Sequence, residues 1–217
     1  MDMAIIPDLW QATLDTLRMV LVSTLFTILV GLPLGVLLVG TDRDGLFPMR
    51  VLHQVLGIIV NIGRSLPFII LLVAIMPITR FIVGTSIGTD AAIVPLTVAA
   101  IPFFGRVAET SLREVDSGII EAAKSMGCTS WQIVRKVLIP EALPSIILGI
   151  TITIISLLGY SAIAGAVGAG GLGDLAIRYG YERFETDVMI ITVVLLVILV
   201  QGIQLLGNLI ARKLTRR

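Results

Sequence analysis

Residues 121–144 read EAAKSMGCTSWQIVRKVLIPEALP and lead from one apolar stretch, 87–107, into another, 142–167. Each of those stretches is long enough to cross a bilayer as a helix, so the segment between them is a polar excursion on one side of a membrane. Its spacing predicts two short helices joined by a turn. Asp116 or Ser117 can cap the first, expected over 117–126, and Gly127 then supplies a position that tolerates positive φ at a helix C-terminus. Thr129, with Gln132 three residues on, forms a capping box for the second helix. Pro140 and Pro144 are expected to end that helix and open the next span. A compact helical hairpin of this kind offers a docking knob to another protein. The pattern also fits an interfacial helix resting on headgroups.

The rest of the chain sets that hairpin in a membrane protein. Of 217 residues, 56% are hydrophobic and only 14% charged, where a water-soluble domain carries about 25% charged residues. Mean hydropathy is +1.02. Five stretches are predicted to span: 17–39, 57–79, 87–107, 142–167 and 188–210. The second lies in a longer apolar run, 51–83, too long for one upright crossing, so it is expected to be tilted, broken or extended. In lipid every backbone polar group needs a partner within the segment, which predicts helices. The short alternating segments of a membrane barrel do not occur. The expected fold is therefore an all-α integral membrane protein, one domain over 1–217 with five transmembrane helices and the hairpin loop at 113–140. One cysteine, Cys128, permits no internal disulfide, and one histidine, His53, with no Cys/His cluster, argues against a metal site. Asp2 and Asp8 stand where a secretory signal would be basic, so no such signal is expected.

Charge orients the spans. Arg113, Lys124, Arg135 and Lys136 lie between spans three and four, and Arg212, Lys213, Arg216 and Arg217 end the chain on the same side. The other side holds Arg18, Arg80, Arg178 and Arg183 with acids nearby. The positive-inside rule makes the first side cytoplasmic, with the N-terminus outside. Arg18 alone, close to span one, runs against the trend.

Glu121-Ala122-Ala123, Gly127 and Val137-Leu138-Ile139-Pro140 resemble the EAA loop of the permeases of ATP-binding-cassette (ABC) importers, whose pattern is EAA, three residues, Gly, nine residues, Ile-x-Leu-Pro. The spacing is kept, and only Val137 for Ile and Ile139 for Leu depart from it. The resemblance implies the type I ABC importer permease fold. It makes 117–126 a coupling helix, from Ser117 to Met126, that sits in a groove of an ATPase. Glu121 and Gly127 would hold its shape, while Ala122 and Ala123 would permit close approach to the partner. No GxxxxGK[ST] loop occurs, so ATP and Mg belong to a separate ATPase dimer and the chain needs no cofactor of its own. Two copies of this chain are the simplest match to two ATPases, with a related second permease as the alternative. An external solute-binding protein is implied by the same family, and no nucleic acid is expected. GYSAIAGAVGAGGLGDLAIRYGYERF (159–184) and NIGRSLPFIILL (61–72) resemble the methionine-importer branch. That resemblance implies methionine and close analogues as cargo; another small solute, such as a polar amino acid or phosphonate, is the alternative.

Residues 168–173, GAGGLG, satisfy the G-x-G-x-x-G of dinucleotide sites. That motif needs a preceding strand and an acid about 20 residues on, whereas here it follows a membrane helix and the later residues are apolar. It reads as close-packed backbone at the outer end of span four. Within that span Gly149, Thr153, Ser156 and Tyr160 fall on one helical face, which predicts a pathway lining at a dimer axis, with Ile163 on the same face as a hydrophobic gate. The alternatives are Ser/Thr bonding to their own backbone and small residues that merely permit helix packing. Arg64, inside span two beside Ser65 and Pro67, is expected to satisfy carbonyls freed by a kink at Pro67, with a substrate role as the alternative. Gly31 and Gly35 form a GxxxG that predicts close helix contact in span one. Gln201, Gln204 and Asn208 form a polar stripe suited to interhelical hydrogen bonds, and Trp10 fits an interfacial anchor.

A secondary transporter would show acids within its central spans and internal repeats, and an enzyme would show clustered carboxylates, a nucleophile with its base, or metal ligands. Neither pattern is present, so no catalytic residue is expected, and removal of the partner ATPase separates an ATP-driven permease from a secondary transporter.

Overall fold

The computed structural model describes residues 5–215. Asp2, Arg216 and Arg217, which enter the charge reading, lie outside the described residues. Ten helices, with two π segments, make up the regular structure among the described residues, and no strand occurs there. They are α1 (Ile5–Gly40), α2 (Arg50–Ser65), α3 (Phe68–Ala74), α4 (Met76–Val83), α5 (Thr89–Arg113), α6 (Ser117–Ser125), α7 (Ser130–Ile133), α8 (Ile139–Gly165), α9 (Gly171–Leu175) and α10 (Thr186–Thr215). Four helical stretches are long and apolar enough to cross a membrane, and α2 with α3 supplies a fifth if that bent pair counts as one span.

Each of the five expected spans has a counterpart. α1 is longer than its apolar run, 36 residues or about 54 Å, well beyond a hydrocarbon layer of about 30 Å. Span two is broken. The chain bends by 101° between α2 and α3 at Leu66-Pro67, because Pro67 lacks a donor for the helix ladder and disfavours helical backbone in the residue before it. The freed end is taken up at Pro67 itself, whose carbonyl accepts from Ile70 N and Leu71 N, both at 3.0 Å.

One expected boundary is corrected. Pro140 does not end the second hairpin helix: α7 passes through a π segment, Val134–Leu138, directly into α8. The wider turn, with Ile139 N donating to Val134 O, brings the ladder to a proline that has no N–H to give, and Pro144 is carried inside α8. The second arm of the hairpin is thus the first part of span four.

The chain forms two compact units. The first comprises Met1–Phe26, Leu66–Ala100 and Thr153–Leu205, the second Thr27–Ser65, Ile101–Ile152 and Leu206–Arg217. In the first, Met19, Leu96, Leu157 and Leu158 form a buried core with Phe68 and Leu72, and Phe68 stacks on Tyr160 with ring centroids 4.7 Å apart. Close backbone packing marks the glycine-rich run, where Gly168, Gly170 and Gly171 have φ of 85°, 81° and 77°. A side chain on Gly165 would meet the backbone at Gly173 and Asp174, and one on Gly173 the backbone of Ala162.

In the second unit Phe104, Ala108, Leu112, Leu138 and Ile146 are buried together. The GxxxG of α1 works as expected: a Cβ on Gly35 would lie 2.7 Å from Ala108 Cβ and 3.0 Å from Gly105 O, so the two helices come this close only because Gly35 has no side chain at the crossing. Gly35→Ala therefore forces α1 from α5 and is expected to cost about 1–3 kcal/mol, read as a lower melting midpoint of the purified protein. Gly57→Ala, where an added Cβ meets nothing within 4 Å, gains helix propensity instead and should leave the midpoint equal or higher.

Candidate functional site

The hairpin forms as its capping chemistry dictates. Asp116 caps α6, its Oδ1 accepting from Gly118 N at 2.6 Å. Met126 is the C-cap, and Gly127 follows with φ +77°, its N–H donating to Lys124 O at 2.9 Å. Both bonds of the Thr129–Gln132 capping box are present. α6 exposes Ser117, Glu121 and Ala122, and Met126 is 77% exposed. Two expectations are corrected. Ala123 is only 2% exposed, so it packs into its own protomer, where its small side chain lets the helix lie close. Glu121 makes no side-chain hydrogen bond or ion pair among the described residues; the turn is shaped by Asp116 and Gly127.

Beneath the hairpin lies a charge network that the sequence reading missed. Glu109, 4% exposed, accepts from Arg106 at 2.6 Å and from Arg113 at 2.9 Å. Arg106 also donates to Asn61 Oδ1 at 2.9 Å, and Arg113 to Asp42 Oδ2 at 2.7 Å. His53 donates from Nδ1 to Leu38 O at 3.0 Å when that nitrogen carries the proton, and turns Nε2 toward Asp42 at 3.9 Å. The signal was available as the Arg106, Glu109, Arg113 spacing of three and four on one helix. What it could not reveal is that Asp42, Asn61 and His53 come to meet it. The guanidinium of Arg113, then the N–H of Arg43, hold the Asp42 carboxyl below its ordinary 3.8, and partial burial opposes them.

Along α8, Gly149 and Thr153 are buried, Ser156 is half-buried, and Tyr160 is stacked on Phe68. The exposed line of the helix runs beside them through Leu148, Ile152, Gly159 and Ile163, the last 42% exposed. The expected stripe is therefore turned mostly inward, since Thr153 and Gly149 find room against their own protomer: a Cβ on Gly149 would reach Val107 Cγ1 at 2.5 Å. Arg64 does not serve the break in span two. It is exposed and has no hydrogen bond or ion pair among the described residues, while the Ser65 hydroxyl donates to Asn61 O at 2.8 Å. Arg18, the exception in the charge count, is paired with Asp90 at 2.8 Å. Trp10 is 66% exposed, and no group of metal-ligating side chains occurs among the described residues.

The profile of the family described as "Binding-protein-dependent transport system inner membrane component" matches residues 31–217. The chain belongs to that family. As a member it is a multi-pass inner-membrane component, a transport subunit and not a catalyst. It is 53% identical over 209 residues to the probable D-methionine transport system permease protein MetI of Vibrio cholerae, covering 96% of this chain and 93% of that one. It is 45% identical over 210 residues to the methionine import system permease protein MetP of Bacillus subtilis, covering 97% and 95%. A chain in an inward-facing structure of the MetNI methionine ABC transporter superposes with a TM-score of 0.97 at 51% identity, over 99% of both chains. An amino acid ABC transporter solved with histidines shares the fold, with a TM-score of 0.78 at 20% identity. The transport component thus has the all-helical type I ABC importer permease fold.

The network gives this component an acid limb. A carboxyl held below its ordinary value stabilises the folded state at pH above its unfolded value, and that stability is lost as pH falls through the folded value. For Asp42 the loss begins below about 3.8, so near neutrality its pair with Arg113 is intact. Asp42→Asn is expected to lower the melting midpoint at pH 7 and to flatten its fall below about pH 4, measured by thermal scans across pH.

Proposed function

We propose that this chain is the permease subunit of an ATP-driven importer of methionine and its close analogues. One observation carries the reading: 51% identity and a TM-score of 0.97 across 99% of both chains with a protein of the MetNI methionine transporter. The whole chain acts as one permease domain and pairs with a second copy of itself. An ATPase dimer on the cytoplasmic side binds ATP and Mg, and an external solute-binding protein delivers cargo.

Orientation follows from charge, with the N-terminus outside and the C-terminus cytoplasmic. Arg43 and Arg50 in the α1–α2 connection join Arg113, Lys124, Arg135 and Lys136 on the inner side, held there by the Asp42–Arg113 pair and by Ser130 donating to Leu46 O at 3.0 Å. α6 is the coupling helix. Its exposed Ser117, Glu121, Ala122 and Met126 meet the ATPase, while the buried Ala123 and the left-handed Gly127 set its angle on the permease. ATP binding and hydrolysis in the partner move α6 and, through α7 and the unbroken run into α8, shift the spans between outward and inward access.

For the pathway, the exposed line of α8 through Ile152, Gly159 and Ile163 replaces the expected stripe, with the half-buried Ser156 at its edge. Ser156 supplies polarity, and Ile163 from two copies closes a hydrophobic gate. Gly149, Thr153 and Tyr160 support this face from behind. Arg64, exposed beside the break in span two, serves the assembly or a water-filled route, because an arginine at membrane depth needs one of these.

The first test is uptake of labelled methionine into proteoliposomes holding the chain, its ATPase and the binding protein. ATP-dependent uptake is expected, and it should vanish without the ATPase whatever the proton gradient. Gly127→Val forces a β-branched residue to φ +77°, a cost of roughly 1–2 kcal/mol, so uptake per assembled complex should fall about tenfold. Unchanged uptake in that variant would exclude α6 as the coupling element. Ile163→Ala should raise basal methionine leak without ATP, and leak equal to the parent protein's would remove Ile163 from the gate.

A further inference from the structure

We propose that the cytoplasmic end of α1 and the start of α7 form a binding site for one anionic phospholipid of the inner leaflet. The proposal rests on the cytoplasmic orientation given above for this end of the molecule.

Two cavities of the second unit adjoin along the end of α1. The first, of about 530 Å³, is lined by Leu32, Val36, Leu37, Phe47, Trp131 and Ile139, with Pro33, Val134 and Ser130 completing it. Its only hydroxyl, that of Ser130, already donates to Leu46 O, so apart from the Trp131 indole the side chains of the walls offer a polar ligand no donor. That excludes a solute and suits an acyl chain. Trp131 sits at the rim, 69% exposed, with its indole N–H able to reach headgroup depth, where tryptophan concentrates in membrane proteins.

The second cavity, of about 480 Å³, begins one turn further on. Leu37 lines the first and Thr41 the second, and the adjacent Phe47 and Pro48 likewise divide between them. Arg43, Arg50, His53 and Asp42 line it. Asp42 is neutralised by Arg113 at 2.7 Å, and Asp44 lines the neighbouring cavity on the other side of Asp42. Arg43 and Arg50 are both exposed, and neither side chain enters an ion pair among the described residues. The site therefore presents two uncommitted guanidinium groups beside an apolar trough. Arg135, exposed four residues after Trp131, adds positive charge to the same cytoplasmic segment. An apolar groove joined to a basic pocket at the cytoplasmic interface matches an anionic lipid, with the chain in the groove and the phosphate on the arginines. A zwitterionic lipid matches the groove alone.

The chain has two tryptophans, so Trp10→Phe leaves Trp131 as the sole indole reporter. The full chain carrying that change, assembled with its ATPase in a tryptophan-free form, is placed in phosphatidylcholine bilayers doped with dibrominated phosphatidylglycerol or, at the same fraction, dibrominated phosphatidylcholine. Trp131 emission should be quenched at several-fold lower mole fraction of the brominated phosphatidylglycerol, and each of Arg43→Gln and Arg50→Gln should reduce that preference about fivefold. Val36→Phe, which fills the groove, should weaken quenching by both lipids while the melting midpoint shows that the protein is folded. Equal quenching by both lipids in the parent protein overturns the proposal. So does absence of quenching in the ATPase complex with quenching in the free chain, which would assign the groove to the ATPase. A preparation that imports methionine yet shows no lipid preference refutes this site alone, whereas failure of uptake in the same bilayers bears on the permease reading.

Discussion

Glu109 brings a carboxylate to a nearly fully buried position on an otherwise apolar helix, a placement that would cost several kcal/mol if the charge stood alone. It stands between Arg106 and Arg113, three residues before and four after it, and both bond it below 3 Å. Having met Glu109, the same arginines reach beyond α5, Arg106 to Asn61 on α2 and Arg113 to Asp42 after α1. One buried acid thereby ties three segments of the second unit at the level from which the hairpin emerges. A coupling loop can deliver force only if its root does not yield, and charge-assisted bonds of fixed geometry are stiffer than packing of apolar chains alone.

Glycine and proline shape the rest for a related reason. In a membrane, an unmade backbone hydrogen bond has no water to fall back on, so each interruption of a helix must be resolved locally. At Pro67 the bend is accepted and the proline carbonyl caps the next helix. At Pro140 the missing donor is absorbed by a π turn, and the helix continues. The two prolines face the same chemistry with opposite outcomes. α2 ends at Ser65, two residues before Pro67, with no widened turn leading into the proline. Pro140 follows five residues already widened to i→i+5 pairing, so a turn without its donor costs little more.

Much of this was legible from residue order. The spans, the cap at Asp116, the turn at Gly127 and the Thr129–Gln132 box are local consequences of residue type and spacing, and each appears where expected. The GxxxG of α1 was also legible as a place of close contact. The inward turn of Ala123, the fate of Pro140 and the exposed position of Arg64 were not, because each depends on what packs nearby. The α8 stripe illustrates the limit: Gly149, Thr153, Ser156 and Tyr160 do share a face, yet periodicity says only that residues lie together, not which neighbour they meet. Phe68, distant in sequence, takes Tyr160, and the exposed line lies beside it.

By itself, the order of residues determined that this protein lives in a membrane, crosses it as helices, and extends a capped helical hairpin whose pattern belongs to importer permeases. Hydrophobic run length, capping and backbone freedom act over a few residues, and so can be read from a few residues. Tertiary structure alone decided which face of α8 remains open, which hairpin alanine is buried, and that Asp42, Asn61 and His53 gather round Glu109 and its arginines. Those outcomes arise from competition for burial and for charge partners among segments as distant in sequence as those of Phe68 and Tyr160, and no local pattern records who wins such a competition.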